Sequence, residues 1–341
     1  MGFSNSKVEV KKNKDSKIAD NISKENYESN VDNISKQNND IEINDKNEKG
    51  IIKYENGDYY EGEKQNGKRQ GKGIEYYENG EIKYDGDWNN DLQDGNGKFV
   101  EKEGNYYIGE FKNGLKHGMG KEYSKSGDLI YEGDFVNGKK DGTGKLIHDD
   151  KTYYEGEFKN DVKHGEGKAY NNYGALYYQG NFSNGLINGY GTFYFDDFSG
   201  NRYEGQFING KFHGKGIKYD PDDKVIYEGD FVDGKEEGNG KYIFESGCYY
   251  IGQFKNGEAN GKGSQYDKNG DLVYEGDFVN DKRNGNGKLF YENRSYFVGG
   301  FKDGKRHGDG KEYDKNGKLI RYVTYINGEY MRSIVDASYD E

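Results

Sequence analysis

The stretch Tyr131–Gly144 reads YEGDFVNGKKDGTG, and Tyr154–Gly167, starting 23 residues later, reads YEGEFKNDVKHGEG. In the first, Tyr131, Gly133 and Phe135 fall on alternate residues, and the second repeats the pattern. Alternation places the three on one face of a β-strand. The Asn-Gly or Asn-Asp pair that follows is a turn signal. The closing Gly-x-Gly leads into a second strand. Each stretch therefore predicts one β-hairpin. The strand glycines are packing residues: without a Cβ, they let an aromatic ring lie flat over the backbone.

Working outward, the same pattern starts at Tyr60, Tyr84, Tyr107, Tyr178, Tyr203, Tyr227, Tyr250, Tyr274 and Phe297, with a degenerate half copy from Arg321. The defining triplet is Tyr84, Gly86 and Trp88 in one copy and Tyr227, Gly229 and Phe231 in another. Starts lie alternately 24 and 23 residues apart, with one step of 25 from Tyr178 to Tyr203, which suggests a two-hairpin module of 47 residues. The odd-numbered copies tend to be preceded by another tyrosine, as at Tyr59, Tyr106, Tyr153 and Tyr249. The first copy has Lys64 where the aromatic belongs, and the half copy has Val323 for its first glycine; both read as caps.

These motifs resemble MORN repeats over residues 51 to about 330. The expected fold is all-β: an extended, twisted single ribbon of consecutive β-hairpins (residues 51–332) after a disordered N-terminal segment (1–50), with a short tail (333–341). Roughly 23 strands at about 4.8 Å each would make a ribbon on the order of 110 Å long. Charge suggests a register in which the acid at the fourth place of each copy faces the Lys after Gly-x-Gly. That would pair Asp87 with Lys98, Glu110 with Lys121, Asp134 with Lys145, Glu157 with Lys168, Asp230 with Lys241 and Asp277 with Lys288. Each exposed pair would contribute about 0.2–1 kcal/mol.

Composition fits many small cores rather than one large core. Of 341 residues only 31% are hydrophobic, yet Tyr numbers 34 and Phe 18, too many for a solvated coil. Gly numbers 54 against a single Pro, so the glycines do not mark a linker. Residues 1–50 differ: two glycines, one tyrosine and ten Asn give too little apolar surface to offset ordering entropy. The net charge of -12 argues against nucleic acid as a partner. The lone Cys248 allows no intrachain disulfide, and a reducing compartment is expected. No apolar run reaches the about 18 residues of a spanning helix, and the N-terminus lacks a secretory signal.

Catalytic and metal chemistry find little support. His117, His164, His213 and His307 share one place in the repeat, but successive ones lie two hairpins, roughly 19 Å, apart, too far to share an ion. They read as polar turn residues. The Gly-x-Gly pairs precede no helix, as a phosphate-binding loop requires. No catalytic residue, cofactor or metal is expected. Enzymes that carry MORN repeats have a separate catalytic domain, which this chain is not expected to contain.

Two features suggest positioning in the cell. The N-terminus MGFSNS fits N-myristoylation at Gly2, with Ser6 at the favoured place. One acyl chain binds membranes only marginally, and Lys7, Lys11, Lys12, Lys14 and Lys17 would supply the second signal. The hairpin tips form a basic edge, with Lys68, Arg69, Lys139, Lys140, Lys163, Lys282, Arg283, Lys305 and Arg306. The opposite turns are acidic, as at Asp149-Asp150, Asp196-Asp197 and Asp220 with Asp222-Asp223. Such an edge could meet anionic phospholipid, or serve only to protect a sheet from aggregation. The resemblance implies a non-catalytic scaffold for cortical or cytoskeletal protein partners, in some relatives a homodimer. Here it would sit at the cytoplasmic face of a membrane. The alternatives are direct phosphoinositide binding through the basic edge and a regulatory subunit of an enzyme complex.

Overall fold

The computed structural model describes residues 48–195 and 199–334. Gly2, the five N-terminal lysines and the expected disorder of the leading segment up to residue 47 lie outside the described residues. In the described part there are 25 strands and no helix. Every strand pairs antiparallel with the next, giving one open sheet of consecutive hairpins.

The first five strands set the pattern: β1 (Glu48–Lys53), β2 (Tyr59–Gln65), β3 (Lys68–Tyr76), β4 (Ile82–Asn89) and β5 (Leu92–Val100). The Tyr60 hairpin is β2–β3 and the Tyr84 hairpin β4–β5. The two strands beyond the roughly 23 expected lie at the ends. β1 begins inside the N-terminal segment expected to be disordered (1–50), ordering residues 48–50 by pairing, and covers the open side of β2. At the far end β24 (Leu319–Ile326) pairs with β25 (Glu329–Ile334), which runs two residues past the expected end of the array. There Arg321 replaces the tyrosine, so Val323 takes the glycine's place without meeting a ring.

The 47-residue module has a structural cause. The ladder between β3 and β4 shifts at Glu75/Tyr76, and the same bulge recurs at Glu122/Tyr123 and Ala169/Tyr170. The intervening junctions, such as β5 with β6 (Tyr106–Lys112), pair without a shift. Every second inter-hairpin junction thus carries one extra residue, and the sequence spacing alternates with it.

Within each hairpin the charge register is two residues from that expected. The two-residue turn fixes Asn89 opposite Leu92 and Trp88 opposite Gln93. The ladder then shifts so that Gly86 faces Gly97 and Asp85, not Asp87, faces Lys98. Asp94, Gly95 and Asn96 bulge outward, with Gly95 at φ 115°. The Asp87 carboxylate reaches into the bulge, and Asn96 N–H donates to it at 2.9 Å. Asp134, Glu157, Asp230 and Asp277 accept from the matching amides. The fourth-place acid is a bulge cap, and the lysine after Gly-x-Gly faces the second place instead.

One face of the sheet holds the core. Tyr84 is fully buried, with Trp88 at 5.0 Å and Phe111 of the next hairpin at 5.1 Å, both edge-on. Tyr131 and Tyr227 repeat the arrangement with Phe135 and Phe158, and with Phe231 and Phe254. Each ring lies over two glycines; a methyl at Gly86 would sit 2.6 Å from Tyr84 Oη, and one at Gly97 would collide with the ring. The hydroxyl passes beyond them and donates to the Asp87 carbonyl at 3.0 Å. Burial pushes the Tyr60 phenol up to about 12.

The tips are linked as well. In eleven successive steps the second turn residue of a hairpin donates its N–H to a carbonyl of the hairpin before it, as Gly114 does to Gln93 at 2.8 Å. Where the turn is Asn-Asp, the residue sits at positive φ, 70° for Asp161, and its carboxylate also accepts from Lys140 N–H at 2.8 Å. The adjoining polar residue accepts the first turn amide: Asp94 from Asn113, Glu237 from Asn256, and His307 through Nδ1 from Asn327. At His307 the repeated histidine place therefore receives the next hairpin's turn.

Candidate functional site

Over the buried tyrosines lies a row of side chains, one per hairpin, from the residue two places after the turn. It runs Arg69, Gln93, Lys116, Lys140, Lys163, Ile187, Phe212, Glu236, Ala259, Arg283 and Arg306. This row corrects the basic edge. Lys68, Lys139, Lys282 and Lys305 are exposed at the tips, but Arg69, Lys140, Lys163, Arg283 and Arg306 are half-buried over the rings. Arg69 lies 3.9 Å from the Trp88 ring centre, Lys140 5.0 Å from Tyr131, Lys163 5.0 Å from Tyr154, Arg283 4.7 Å from Tyr274 and Arg306 3.8 Å from Tyr325. The physical reason is that the residue faces inward by strand alternation, and a long cation covers a ring with its stem while its charge rests on the π face.

In the early repeats and in the last full hairpin carboxylates compensate these cations. Glu122 binds Lys116 at 2.6 Å and Lys140 at 2.8 Å. Burial opposes its charge, but the two ammonium groups outweigh it and hold the carboxyl below its usual range. Glu75 binds Arg69 and Lys83 in the same way, and Glu312 binds Arg321 and Arg306. Ala169 occupies the corresponding place beside Lys163, and burial draws the Lys163 ammonium down. His148 Nε2 lies 3.3 Å from that ammonium, and burial and Lys163 together lower its pKa.

From Tyr177 to Phe212 the lid becomes apolar. Phe212 stacks on Tyr203 at 3.9 Å, and Phe193 and Phe195 meet each other and Phe212 at 5.3–5.9 Å. Tyr177 reaches Phe193 at 6.3 Å, and Ile187 packs on the same core. Beyond this platform, Lys218 and Glu236 pair with the charges exchanged relative to Glu122 and Lys140. Sequence reasoning missed the platform. Its signals were Ile187 and Phe212 where six sister repeats have Lys or Arg, and the single 25-residue step.

The opposite face carries one stacked tyrosine pair per module, including Tyr59 with Tyr76 at 4.6 Å and Tyr153 with Tyr170 at 4.3 Å. In the one exception Arg202 replaces the first ring and lies 4.0 Å from Tyr219. On this face an open trough of about 1040 Å³ crosses the same middle repeats, with Tyr190, Glu204, Lys215, Ile217 and Ile251 along it. The exposed aliphatics Leu92, Leu115, Val136, Val162, Leu186, Ile208 and Val232 line the tips. Among the described residues no group of three or more His, Cys, Asp and Glu could hold a metal ion.

The family model for the MORN repeat matches the chain in eleven consecutive segments, at residues 60–82, 84–105, 107–129, 131–153, 154–173, 178–199, 203–225, 227–249, 250–272, 274–296 and 297–318. No curated protein matches the chain.

Proposed function

Because the chain belongs to the MORN repeat family, whose repeats are generally non-catalytic interaction modules, we propose that it is a scaffold for protein partners, held at the cytoplasmic face of a membrane through its N-terminus. The observation that carries the scaffold reading is the unbroken ladder of 25 strands, with each tip hydrogen-bonded to the one before. Such an array fixes distances between surfaces along its length. The tether is an acyl chain on Gly2, assisted by Lys7, Lys11, Lys12, Lys14 and Lys17. The partners are cortical or cytoskeletal proteins, and the array serves as monomer or homodimer. Intact mass and membrane fractionation test the tether: Gly2→Ala should lose the acyl mass and move to the soluble fraction. Membrane retention by that variant would overturn it. Proximity labelling from the intact chain tests the scaffold; a labelled set no different from that of an unrelated cytoplasmic control would overturn that reading.

A second reading is anionic phospholipid binding by the tips, favoured by exposed aliphatics such as Leu115, Val136 and Ile208 beside exposed Lys139 and Lys211. The five cations turned onto the rings weaken it. Pelleting of the full-length Gly2→Ala chain with phosphoinositide vesicles decides: salt-sensitive binding favours the lipid reading.

A further inference from the structure

We infer that the aromatic platform formed by Tyr177, Ile187, Phe193, Phe195 and Phe212 docks a basic amphipathic helix of a partner protein. This rests on the scaffold reading and names the chemistry of one of its partners.

Three observations meet here. First, the platform departs from the commonest lid: six of the eleven lid residues are Lys or Arg, and Ile187 and Phe212 are adjacent exceptions. The floor beneath it is the ordinary one, with Tyr178 edge-on to Phe182 and Phe207, so nothing in the packing of the sheet demands a new lid. Lys140 and Lys163 show that a cation fills the same place in sister repeats. Second, the rings form a contiguous apolar patch, and a half-buried aromatic patch on an otherwise polar surface is the usual core of a protein contact. Third, the patch is bordered by acid along its turn edge, with Lys163 the lid cation one hairpin before Ile187. The inter-hairpin turns beside it carry Asp149, Asp150, Asp220, Asp222 and Asp223, against Lys151, Lys224 and Arg202. Arg202 is held by Glu204 and Asp223, and Lys224 by Asp222. Asp150 is close enough to the Tyr177 hydroxyl to oppose its ionisation, after the larger effect of burial. An apolar floor beside an acidic border complements a helix with aliphatic or aromatic residues on one stripe and Lys or Arg on the next.

The probe is a labelled 18-residue helical peptide of Leu and Lys, titrated with the full chain by fluorescence anisotropy. A peptide with the same Leu positions and Glu for Lys serves as the comparison. The Lys peptide should bind at least tenfold more tightly. The decisive variant is Ile187→Lys with Phe212→Lys, which gives the platform the lid that Lys140 and Lys163 form in sister repeats. It should keep the melting temperature within a few degrees and weaken the Lys peptide at least tenfold. If it unfolds, Phe195→Lys alone, at the turn edge, should weaken binding several-fold. Equal affinity for the two peptides, no binding, or affinity untouched by the lid variants would overturn the inference. Proximity labelling by the same variants separates this from the scaffold reading: an undiminished set leaves the scaffold standing while the platform falls.

Discussion

The hairpins that start at Tyr107 and Tyr131 and those that start at Tyr178 and Tyr203 share a floor and differ in their lid. In the first pair Lys116 and Lys140 cover the rings and share Glu122. In the second pair Ile187 and Phe212 cover them, with Phe193 and Phe195 alongside. The tyrosines are equally buried in both, and the glycines beneath them are equally crowded. In both regions the floor is thus the same tyrosine over paired glycines, while a neighbouring place accepts an ion or an arene. Variation at that place is free to serve recognition.

The largest expected effect should be the same in both regions. Gly120→Ala and Gly191→Ala each force a methyl into a tyrosine ring. Each should cost about 3 kcal/mol or more, read by hydrogen exchange of the flanking strands. A clear difference between the two would break the claim of a common floor.

Glu122→Gln comes next and should act in the charged region alone. It leaves Lys116 and Lys140 over their rings without a counter-charge, at a cost of about 1–3 kcal/mol by chemical denaturation. The sign of the pH dependence follows. The folded carboxyl lies below its ordinary value, so its contribution is present above the unfolded pKa and lost as pH falls through the folded one. The variant should therefore match the parent in strong acid and fall behind it at neutrality.

Lys163→Ile should change stability by less than about 1 kcal/mol and in the favourable direction. Among the described residues the ammonium has no carboxylate partner, and burial disfavours its charge. Its folded pKa is lowered, so the parent should gain stability as pH rises through that value, and the variant should not. A loss above about 1 kcal/mol would show that the cation–π contact outweighs desolvation at this place.

Asp161→Gly should be the smallest, within about 0.5 kcal/mol. Glycine relieves the positive φ, but the carboxylate bond from Lys140 N–H is lost. Thermal melting would show which term is larger.

Much of the fold was legible because glycine and tyrosine can mean little else at period two. Tyr131, Gly133 and Phe135 disclosed the hairpin, and the alternating spacing disclosed the module before the bulge was seen. The charge register was not legible. Acids stand at both the second and fourth places, and only the bulge at Asp94–Asn96 decides which of them faces lysine. The lid was hidden for a related reason. Lys139 and Lys140 are neighbours in one basic run, and strand alternation sends one outward and the other onto Tyr131.

The backbone-to-backbone hydrogen bonds between tips all point one way. The later hairpin supplies the donors and the earlier one the acceptors, from Asp91 on Arg69 to Gly328 on Arg306. A chain leaving the ribosome therefore always finds a finished seat for its next hairpin, and assembly can follow synthesis without waiting for the end.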